Sequence, residues 1–334
     1  MEKRRLGKSD IEISVLGIGC WSFGGGDEDY WGAQDQRQVE AVVRAALDRG
    51  VNYFDSAEAY NDGHSEESLG KALKGRRDEA IIGSKIGPEN TEPNVLREHC
   101  EASLRRLGTD RIDVYMVHWP ITSHSTADAF ATLEDLQSEG KIRVIGVSNF
   151  GVDQLGEALN TGVRFEVNQL CYNLLSRGIE EGIMPLCAAH EIGIVGYMPL
   201  LQGLLADKFK TSEEIPEVRA RTRHFDGRRP LSRHGEAGAE KEVFAALDGI
   251  RKISEQEGLP MSQLALRWCI ARQEVTCVLA GVRDLTQLED NNRALSTDLS
   301  AEVVRKLDEL TDPVTERIGA DPDYFEGRNT SRIR

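Results

Sequence analysis

The chain has 334 residues, a formal net charge of −15 and 40% hydrophobic residues. This length supports a large buried core, arranged either as two ordinary domains or as one α/β barrel. The acidic balance argues against a nucleic-acid or anionic-membrane partner. No apolar run approaches the roughly 20 residues of a membrane span, and no apolar stretch of signal-peptide length follows the basic N-terminus.

The six cysteines include no CxxC pair, so their spacing predicts neither a disulfide framework nor a metal site. We therefore expect a reduced, cytoplasmic protein without a bound metal. The sequence leaves its oligomeric state open.

Apolar runs and helical patterns alternate along the chain. Residues 3–14 predict an antiparallel hairpin that caps one end of the fold, because residues 7–10 have the chemistry of a turn. Helix-period stripes, such as the apolar side chains between 39 and 47, separate most of the apolar runs that follow. Eight of these runs predict strands, at residues 15–18, 51–54, 80–84, 112–117, 144–147, 165–169, 194–197 and 276–279.

Two parallel-sheet folds compete for this pattern. A doubly wound sheet that binds a dinucleotide carries GxGxxG in its first strand-to-helix turn, and the glycines at 24–26 lack that spacing. In an eight-stranded barrel, functional groups lie at the C-terminal ends of the strands. The polar or aromatic residues at or beside predicted strand ends are Asp55, Lys85, His118, Ser148, Asn149, Gln169 and Tyr197. We predict one (β/α)8 TIM-barrel domain over residues 1–334, with an N-terminal hairpin and a long loop after strand 7.

Two segments depart from the regular alternation. The stretch 203–240 is long for a connection, and its residues 219–234 hold six arginines and two histidines against one acid, Asp226. This basic cluster indicates an anionic ligand, although a solvated loop explains it equally well. The polar C-terminal tail, residues 312–334, holds Tyr324 and Phe325 and is either disordered or folded over the mouth of the barrel.

Four side chains at or near strand ends form a chemical set: Asp55, Tyr60, Lys85 and His118. A free tyrosine has a pKa of about 10, and a neighbouring lysine ammonium lowers that pKa. Asp55 would keep Lys85 charged, and His118 would hydrogen-bond a substrate carbonyl. Tyr60 then serves as acid in reduction and base in oxidation, with the hydride supplied by a nicotinamide. Taken singly, each residue also has an ordinary explanation: a helix cap, a packed ring, a surface cation and a structural histidine.

Longer motifs surround these residues. Asp55-Ser56-Ala57 and Tyr60 precede Gly63-x-Ser65-Glu66, Lys85 follows an apolar strand, and so does His118-Trp119-Pro120. Residues 140–150 read GKIRVIGVSNF. Together these motifs resemble the aldo-keto reductase family, and the resemblance extends from the hairpin to the last helix. It implies a TIM barrel that binds NAD(P)(H) in extended form at its C-terminal face, without a Rossmann motif.

The resemblance also implies a cofactor site and a substrate wall. The residues that would bind the nicotinamide end are Ser148, Asn149, Gln169 and, by stacking on the ring, Tyr197. Those that would follow the pyrophosphate are Leu200, Gly203 and Leu204. Those that would bind the adenosine end are Gly281, Arg283, Gln287, Asp290 and Asn291. The tryptophans that would line the substrate cavity are Trp21, Trp31 and Trp119.

Three features differ from the usual family pattern. Met198 replaces the serine of a Tyr-Ser-Pro-Leu run, and Ala280 stands where proline is common. Asp284 and Gln287 lie where neutral or basic groups often surround the 2′-phosphate, and a carboxylate there favours a free 2′-hydroxyl. Arg283, or arginines of the 219–233 loop, would offset it. The resemblance favours NADP(H), with NAD(H) possible.

The leading hypothesis is an oxidoreductase that interconverts the carbonyl of a small aldehyde, ketone or sugar with an alcohol. Two alternatives stay open. A cofactor-binding redox sensor or regulatory subunit with slow turnover would carry the same four residues. A barrel lyase would use Lys85 as a Schiff-base nucleophile, although a paired Asp55 keeps that amine charged.

Overall fold

The computed structural model of the protein describes residues 1–27 and 30–334, in which eight parallel strands close into a barrel. Two short strands before the barrel pair antiparallel: β1 (Lys3–Arg5) and β2 (Glu12–Ser14). The barrel strands are β3 (Leu16–Gly19), β4 (Tyr53–Asp55), β5 (Ile81–Ile86), β6 (Ile112–Val117), β7 (Ile142–Ser148), β8 (Val167–Cys171), β9 (Gly193–Tyr197) and β10 (Val275–Gly281). Pairing of β10 with β3 closes the ring. The predicted TIM barrel and hairpin are confirmed, with small shifts at the strand ends.

Helices surround the barrel, and most of them follow a strand. In the described part of the chain they are α1 (Gln36–Asp48), α2 (His64–Ala72), α3 (Pro93–Leu107), α4 (Thr126–Ser138), α5 (Val152–Asn160), α6 (Ile183–Ala189), α7 (Glu240–Glu257), α8 (Met261–Ala271), α9 (Leu285–Arg293) and α10 (Ala301–Ile318). Ser300 caps α10 by accepting from the Val303 N–H (3.2 Å), and this helix continues past position 312. Within residues 1–27 and 30–334, no helix is both long and apolar enough to cross a membrane.

The N-terminal hairpin closes one end of the barrel. Its apolar side chains share a buried cluster with residues that fill the barrel interior. The Lys8 N–H donates to Glu166 Oε2 (2.7 Å), just before β8, and the Ser14 N–H donates to Asn52 Oδ1 (2.7 Å), just before β4. Both anchors lie at the N-terminal ends of strands. The opposite end, where functional groups of such barrels lie, therefore stays open.

Three long segments surround the open end: residues 20–27 and 30–35 between β3 and α1, residues 198–239 between β9 and α7, and residues 319–334 after α10. We call these segments the rim. The long loop after barrel strand 7 is thereby confirmed, and the tail is folded rather than disordered. Tyr324 is 2% exposed, and its hydroxyl accepts from the Gly178 N–H (2.9 Å) in the loop after β8.

Candidate active site

The floor of the open end is a buried ion pair supplied by two neighbouring strands. Asp55 ends β4, and Lys85 lies one residue before the end of β5. Lys85 Nζ donates to Asp55 Oδ2 (2.7 Å), to the Ser56 carbonyl (2.7 Å) and to the Tyr60 hydroxyl (3.3 Å). Gln169, from β8, donates to Asp55 Oδ1 (2.7 Å). Because neither charge reaches water, these hydrogen bonds are what make the buried pair tolerable.

Tyr60 reaches this pair from a short 3₁₀ segment, Tyr60–Gly63, that follows β4. Asn61 has a left-handed backbone with φ 50°, and its amide donates to the carbonyls of Trp21 (2.9 Å) and Phe23 (2.8 Å). These bonds tie the segment to the part of the rim that follows β3. The half-buried phenol is thus held above the ammonium of Lys85, which lies 4.7 Å from the ring centroid.

The pKa of Tyr60 corrects one expectation from the sequence. Burial raises the pKa of the phenol, the charge of Lys85 lowers it, and Asp55 raises it again; the balance lies above the ordinary value of 10.0. For Lys85 itself, burial lowers the pKa, but Asp55 and Tyr60 together raise it, so the ammonium stays charged. Lys85 therefore offsets part of the burial cost of the phenolate, and Tyr60 rests as a protonated phenol.

His118 follows β6 and faces the same phenol. The centroids of its ring and of the Tyr60 ring are 5.7 Å apart, edge to face. Burial lowers the pKa of His118 to about 3, and the charge of Lys85 acts in the same direction. A neutral imidazole donates a hydrogen bond without adding a charge. The structure thus brings all four predicted residues together and leaves Tyr60 and His118 accessible.

The residues predicted for the nicotinamide end are connected to this floor. Asn149 has a left-handed backbone with φ 62°, and its amide donates to the His118 carbonyl (3.1 Å). The hydroxyl of Tyr197, which ends β9, donates to Asn149 Oδ1 (2.8 Å), and Ser148 donates to the Gln169 carbonyl (3.0 Å). Amide and hydroxyl groups beside a half-buried aromatic ring are chemically suited to a nicotinamide carboxamide and its ring.

The segment predicted for the pyrophosphate follows Tyr197 directly. Leu201–Ala206 forms a distorted 3₁₀ segment in which Leu201 and Gln202 have left-handed φ angles of 39° and 55°. Met198 shares this conformation with φ 58°. Such angles are strained in residues with a Cβ and persist only where contacts enforce them. Gly203 and Leu204 are buried here, whereas Leu200 is half-buried.

The residues predicted for the adenosine end lie between β10 and α9, and Arg283 is already engaged. Its guanidinium donates to the carbonyls of Trp31 and Ala33 in the rim, and its N–H donates to Gln287 Oε1 (3.0 Å). Asp284 caps α9 by accepting from the Gln287 N–H (2.8 Å). Its carboxylate therefore has a fixed place. The other predicted residues differ in exposure: Gly281 and Asp290 are accessible, and Asn291 is buried.

An aromatic wall stands beside Tyr60, and it includes one residue that the sequence analysis missed. Trp21 stacks between Tyr60 (centroids 5.8 Å apart) and Tyr30 (5.0 Å), and Trp31 meets Tyr30 edge to face (4.7 Å). The Tyr30 hydroxyl contacts Gln202 Oε1 (2.7 Å) and the Val218 carbonyl (2.9 Å), which joins two rim segments. The aromatic pair Tyr30-Trp31 is the signal that could have revealed it.

The arginines of residues 219–234 do not form one basic patch. Arg228 pairs with Asp226, Arg229 with Glu217 and Glu240, and Arg233 with Glu326. Arg223 is 1% exposed and donates to backbone carbonyls of α10 and the tail. Only part of the predicted cluster faces the rim aromatics: Arg219 lies over Trp31 (5.4 Å) and Arg221 over Tyr30 (5.1 Å).

Residues 15–312 match the model of the Aldo/keto reductase family, so the chain belongs to this family of oxidoreductases. The chain is 32% identical over 325 residues to the NADH-specific methylglyoxal reductase of Escherichia coli (strain K12), covering 90% of this chain and 95% of that protein.

Two solved structures extend the comparison. The glycerol dehydrogenase AKR11B4 from Gluconobacter oxydans matches with a TM-score of 0.80 and 28% identity, over 95% of this chain and 96% of that one. An aldo-keto reductase from Klebsiella pneumoniae in complex with NADPH matches with a TM-score of 0.74 and 28% identity, over 100% of this chain and 99% of that one. In the described residues, no group of three His, Cys, Asp or Glu side chains is placed to hold a metal ion.

Proposed function

We propose that the protein interconverts the carbonyl of a small aldehyde, ketone or sugar with the corresponding alcohol, using NADP(H) and the phenol of Tyr60 as acid or base. The observation that carries this proposal is the position of Lys85 Nζ, which touches both Asp55 (2.7 Å) and the Tyr60 hydroxyl (3.3 Å) inside the barrel. A lysine exposed on the surface would not be buried against a carboxylate, and a tyrosine that only packs would not direct its hydroxyl at an ammonium.

The geometry supports one role for each of the four residues. Bound NADP(H) would supply or accept the hydride. His118 donates a hydrogen bond to the substrate oxygen and so orients and polarises the carbonyl. In reduction, Tyr60 gives its proton to that oxygen, and the Lys85 ammonium stabilises the phenolate left behind. Asp55 holds Lys85 in place and keeps it charged. In oxidation the same phenolate removes the proton from the alcohol.

The choice of NADP(H) over NAD(H) rests on the NADPH complex of the Klebsiella pneumoniae relative. The Escherichia coli relative is named for NADH, and the carboxylate of Asp284 at the start of α9 also favours NADH. Arg283 and the rim arginines Arg219 and Arg221 are the cations that would favour the 2′-phosphate. Titration with both reduced cofactors decides between them, and a clear preference for NADH would overturn this part of the proposal.

Two other functions would use the same buried side chains. A redox sensor would bind cofactor tightly and turn over slowly, so steady-state assays with aldoses, polyols and simple aldehydes distinguish it from an enzyme. A Schiff-base lyase requires an uncharged Lys85, yet this amine donates three hydrogen bonds and remains charged beside Asp55. Trapping of a substrate on Lys85 by borohydride would favour the lyase.

The decisive experiment is Tyr60→Phe, which removes the acid–base hydroxyl and keeps the ring. We expect turnover to fall about 10²- to 10⁴-fold while the dissociation constant of the cofactor changes less than about threefold. Steady-state oxidation of NADPH and a cofactor titration measure the two quantities. Tyr172→Phe is the matched control, since its hydroxyl donates to Glu180 (2.7 Å), outside the proposed machinery. A parallel loss of turnover and cofactor affinity would instead assign Tyr60 a structural role.

A further inference from the structure

The C-terminal tail places a cation, Arg332, on the ring of Trp119. The guanidinium carbon of Arg332 lies 3.7 Å from the centroid of the Trp119 ring. Trp119 directly follows His118, whose ring faces the phenol of Tyr60. Arg332 therefore packs on the side chain that follows His118 in the sequence, one of the three tryptophans predicted to line the substrate cavity.

The partner of Arg332 leaves one edge of the guanidinium free. Asp323 accepts from Nε (2.8 Å) and from Nη2 (2.8 Å) of Arg332. A guanidinium carries five N–H groups, so the edge formed by Nη1 and Nη2 retains three of them. No acceptor within the described residues bonds to Nη1. The Asp323 side chain is 0% exposed while that of Arg332 is 37% exposed, so the pair presents only its cationic member to solvent.

The position of Arg332 is fixed by the backbone around it. Its carbonyl accepts from Gln154 Nε2 (2.8 Å), and the next residue but one, Arg334, donates its N–H to Gln154 Oε1 (2.8 Å). Ile333 between them is 5% exposed. Because the free edge is held rather than mobile, binding an anion there costs little ordering of the side chain.

The electrostatic surroundings favour an anion at this edge. His118 is neutral, and Lys85 is compensated by Asp55, so the floor adds no net charge. Elsewhere in the rim, Arg219 and Arg221 lie over Trp31 and Tyr30. Two tail acids act on Arg332: Asp323, whose side chain is buried, and Glu326, which pairs with Arg233 (2.7 Å). Of the Arg332–Asp323 pair, only the guanidinium is therefore exposed to a ligand.

We propose that Arg332 binds a carboxylate of the substrate, so that the preferred substrates are aldehydes or ketones that carry a carboxylate at the end remote from the carbonyl. This inference rests on the proposed function and narrows its substrate class. Arginine binds carboxylates through two parallel hydrogen bonds, and the free Nη1–Nη2 edge offers that fork.

The test compares 4-carboxybenzaldehyde with 4-formylbenzamide, which have nearly the same shape and differ in charge. We expect the natural protein to have a higher kcat/KM for the carboxylate, and Arg332→Gln to lower the carboxylate-to-amide ratio about tenfold or more, mainly through the KM of the carboxylate. Arg332→Lys should keep part of the preference. Arg233→Gln, which removes another rim arginine that pairs with a tail acid, should keep the ratio of the natural protein.

Because Arg332→Gln leaves Asp323 buried without a partner, the double variant Arg332→Gln/Asp323→Asn repeats the test without that charge. Calorimetric binding of benzoate against benzamide adds a reading that needs no turnover. A protein that binds benzoate through Arg332 but reduces neither aldehyde would contradict the proposed function and not this inference. An unchanged ratio in both variants, or equal losses for the two aldehydes, would overturn the inference.

Discussion

The floor and the rim of the open end are stabilised in different ways. The floor side chains Asp55, Lys85 and Gln169 lie on strands of a closed barrel, and their hydrogen bonds are shielded from water. The rim is made of loops that hold one another, through contacts such as Tyr30 with Gln202 and Arg332 with Asp323. The difference separates two tasks: the floor sets the chemistry, and the rim sets which ligands reach it.

The largest effect is expected from removing the charge of the floor with Lys85→Met. Turnover should fall about 10²- to 10⁴-fold, because nothing then offsets the burial of the Tyr60 phenolate. The free energy of unfolding should also fall by about 3–5 kcal/mol, because Asp55 is left as an uncompensated buried charge. Steady-state kinetics and urea denaturation measure the two losses.

The double variant Lys85→Met/Asp55→Asn separates these losses. It should recover much of the stability, since no isolated charge remains, but none of the turnover. Recovery of both stability and turnover would show that Lys85 matters only for folding. The floor would then not set the chemistry, and its distinction from the rim would be lost.

A smaller effect is expected from the rim variant Tyr30→Phe. It removes the hydroxyl that bonds Gln202, which has a strained conformation within the segment predicted for the pyrophosphate. A neutral hydrogen bond contributes about 0.5–1.5 kcal/mol, so the dissociation constant of the cofactor should rise roughly two- to tenfold. Stopped-flow fluorescence measures the rate at which the cofactor dissociates, and we expect the change in affinity to appear as an increase in this rate. Unchanged cofactor release would show that this contact does not hold the segment.

The smallest effect is expected from pH. The pKa of His118 is depressed to about 3, so its imidazole stays neutral as pH falls from 7.5 to 5.5. For a neutral aldehyde, kcat/KM of reduction should therefore change less than about twofold over that range. An ordinary histidine titrates near 6.5. If kcat/KM of the natural protein changed stepwise near pH 6.5 and His118→Asn abolished that step, His118 would be shown to become charged in the floor.

The floor could be predicted from the sequence because it depends on local order. Asp55, Lys85, His118 and Tyr197 end or follow apolar runs, and a parallel barrel brings all such positions to one end. What the sequence could not give was the balance of forces on Tyr60. The cost of burying a phenolate depends on how completely the surrounding loops exclude water. At Tyr60, burial raises the pKa by more than the charge of Lys85 lowers it.

The rim was harder to predict because its contacts join distant parts of the chain. The six arginines of 219–234 are close in sequence, but apart from Asp226 and Glu217 their partners come from α7, α10, the tail and the aromatic loop. Arg332 contacts Trp119 across more than two hundred positions, and no periodic pattern signals such a pair. Composition alone therefore indicated a single anion site. In the structure, the arginines instead form separate ion pairs, backbone contacts and contacts with aromatic rings.

The hairpin plug has a kinetic consequence. With one end of the barrel sealed and its interior filled by side chains, every molecule that reaches Tyr60 enters and leaves through a single doorway. In the proposed function, a nicotinamide stacked on Tyr197 would share this doorway with the substrate, so we expect the cofactor to bind first and to leave last. The three residues of β1 and three of β2 would thus influence the order of binding from the end of the barrel opposite Tyr60.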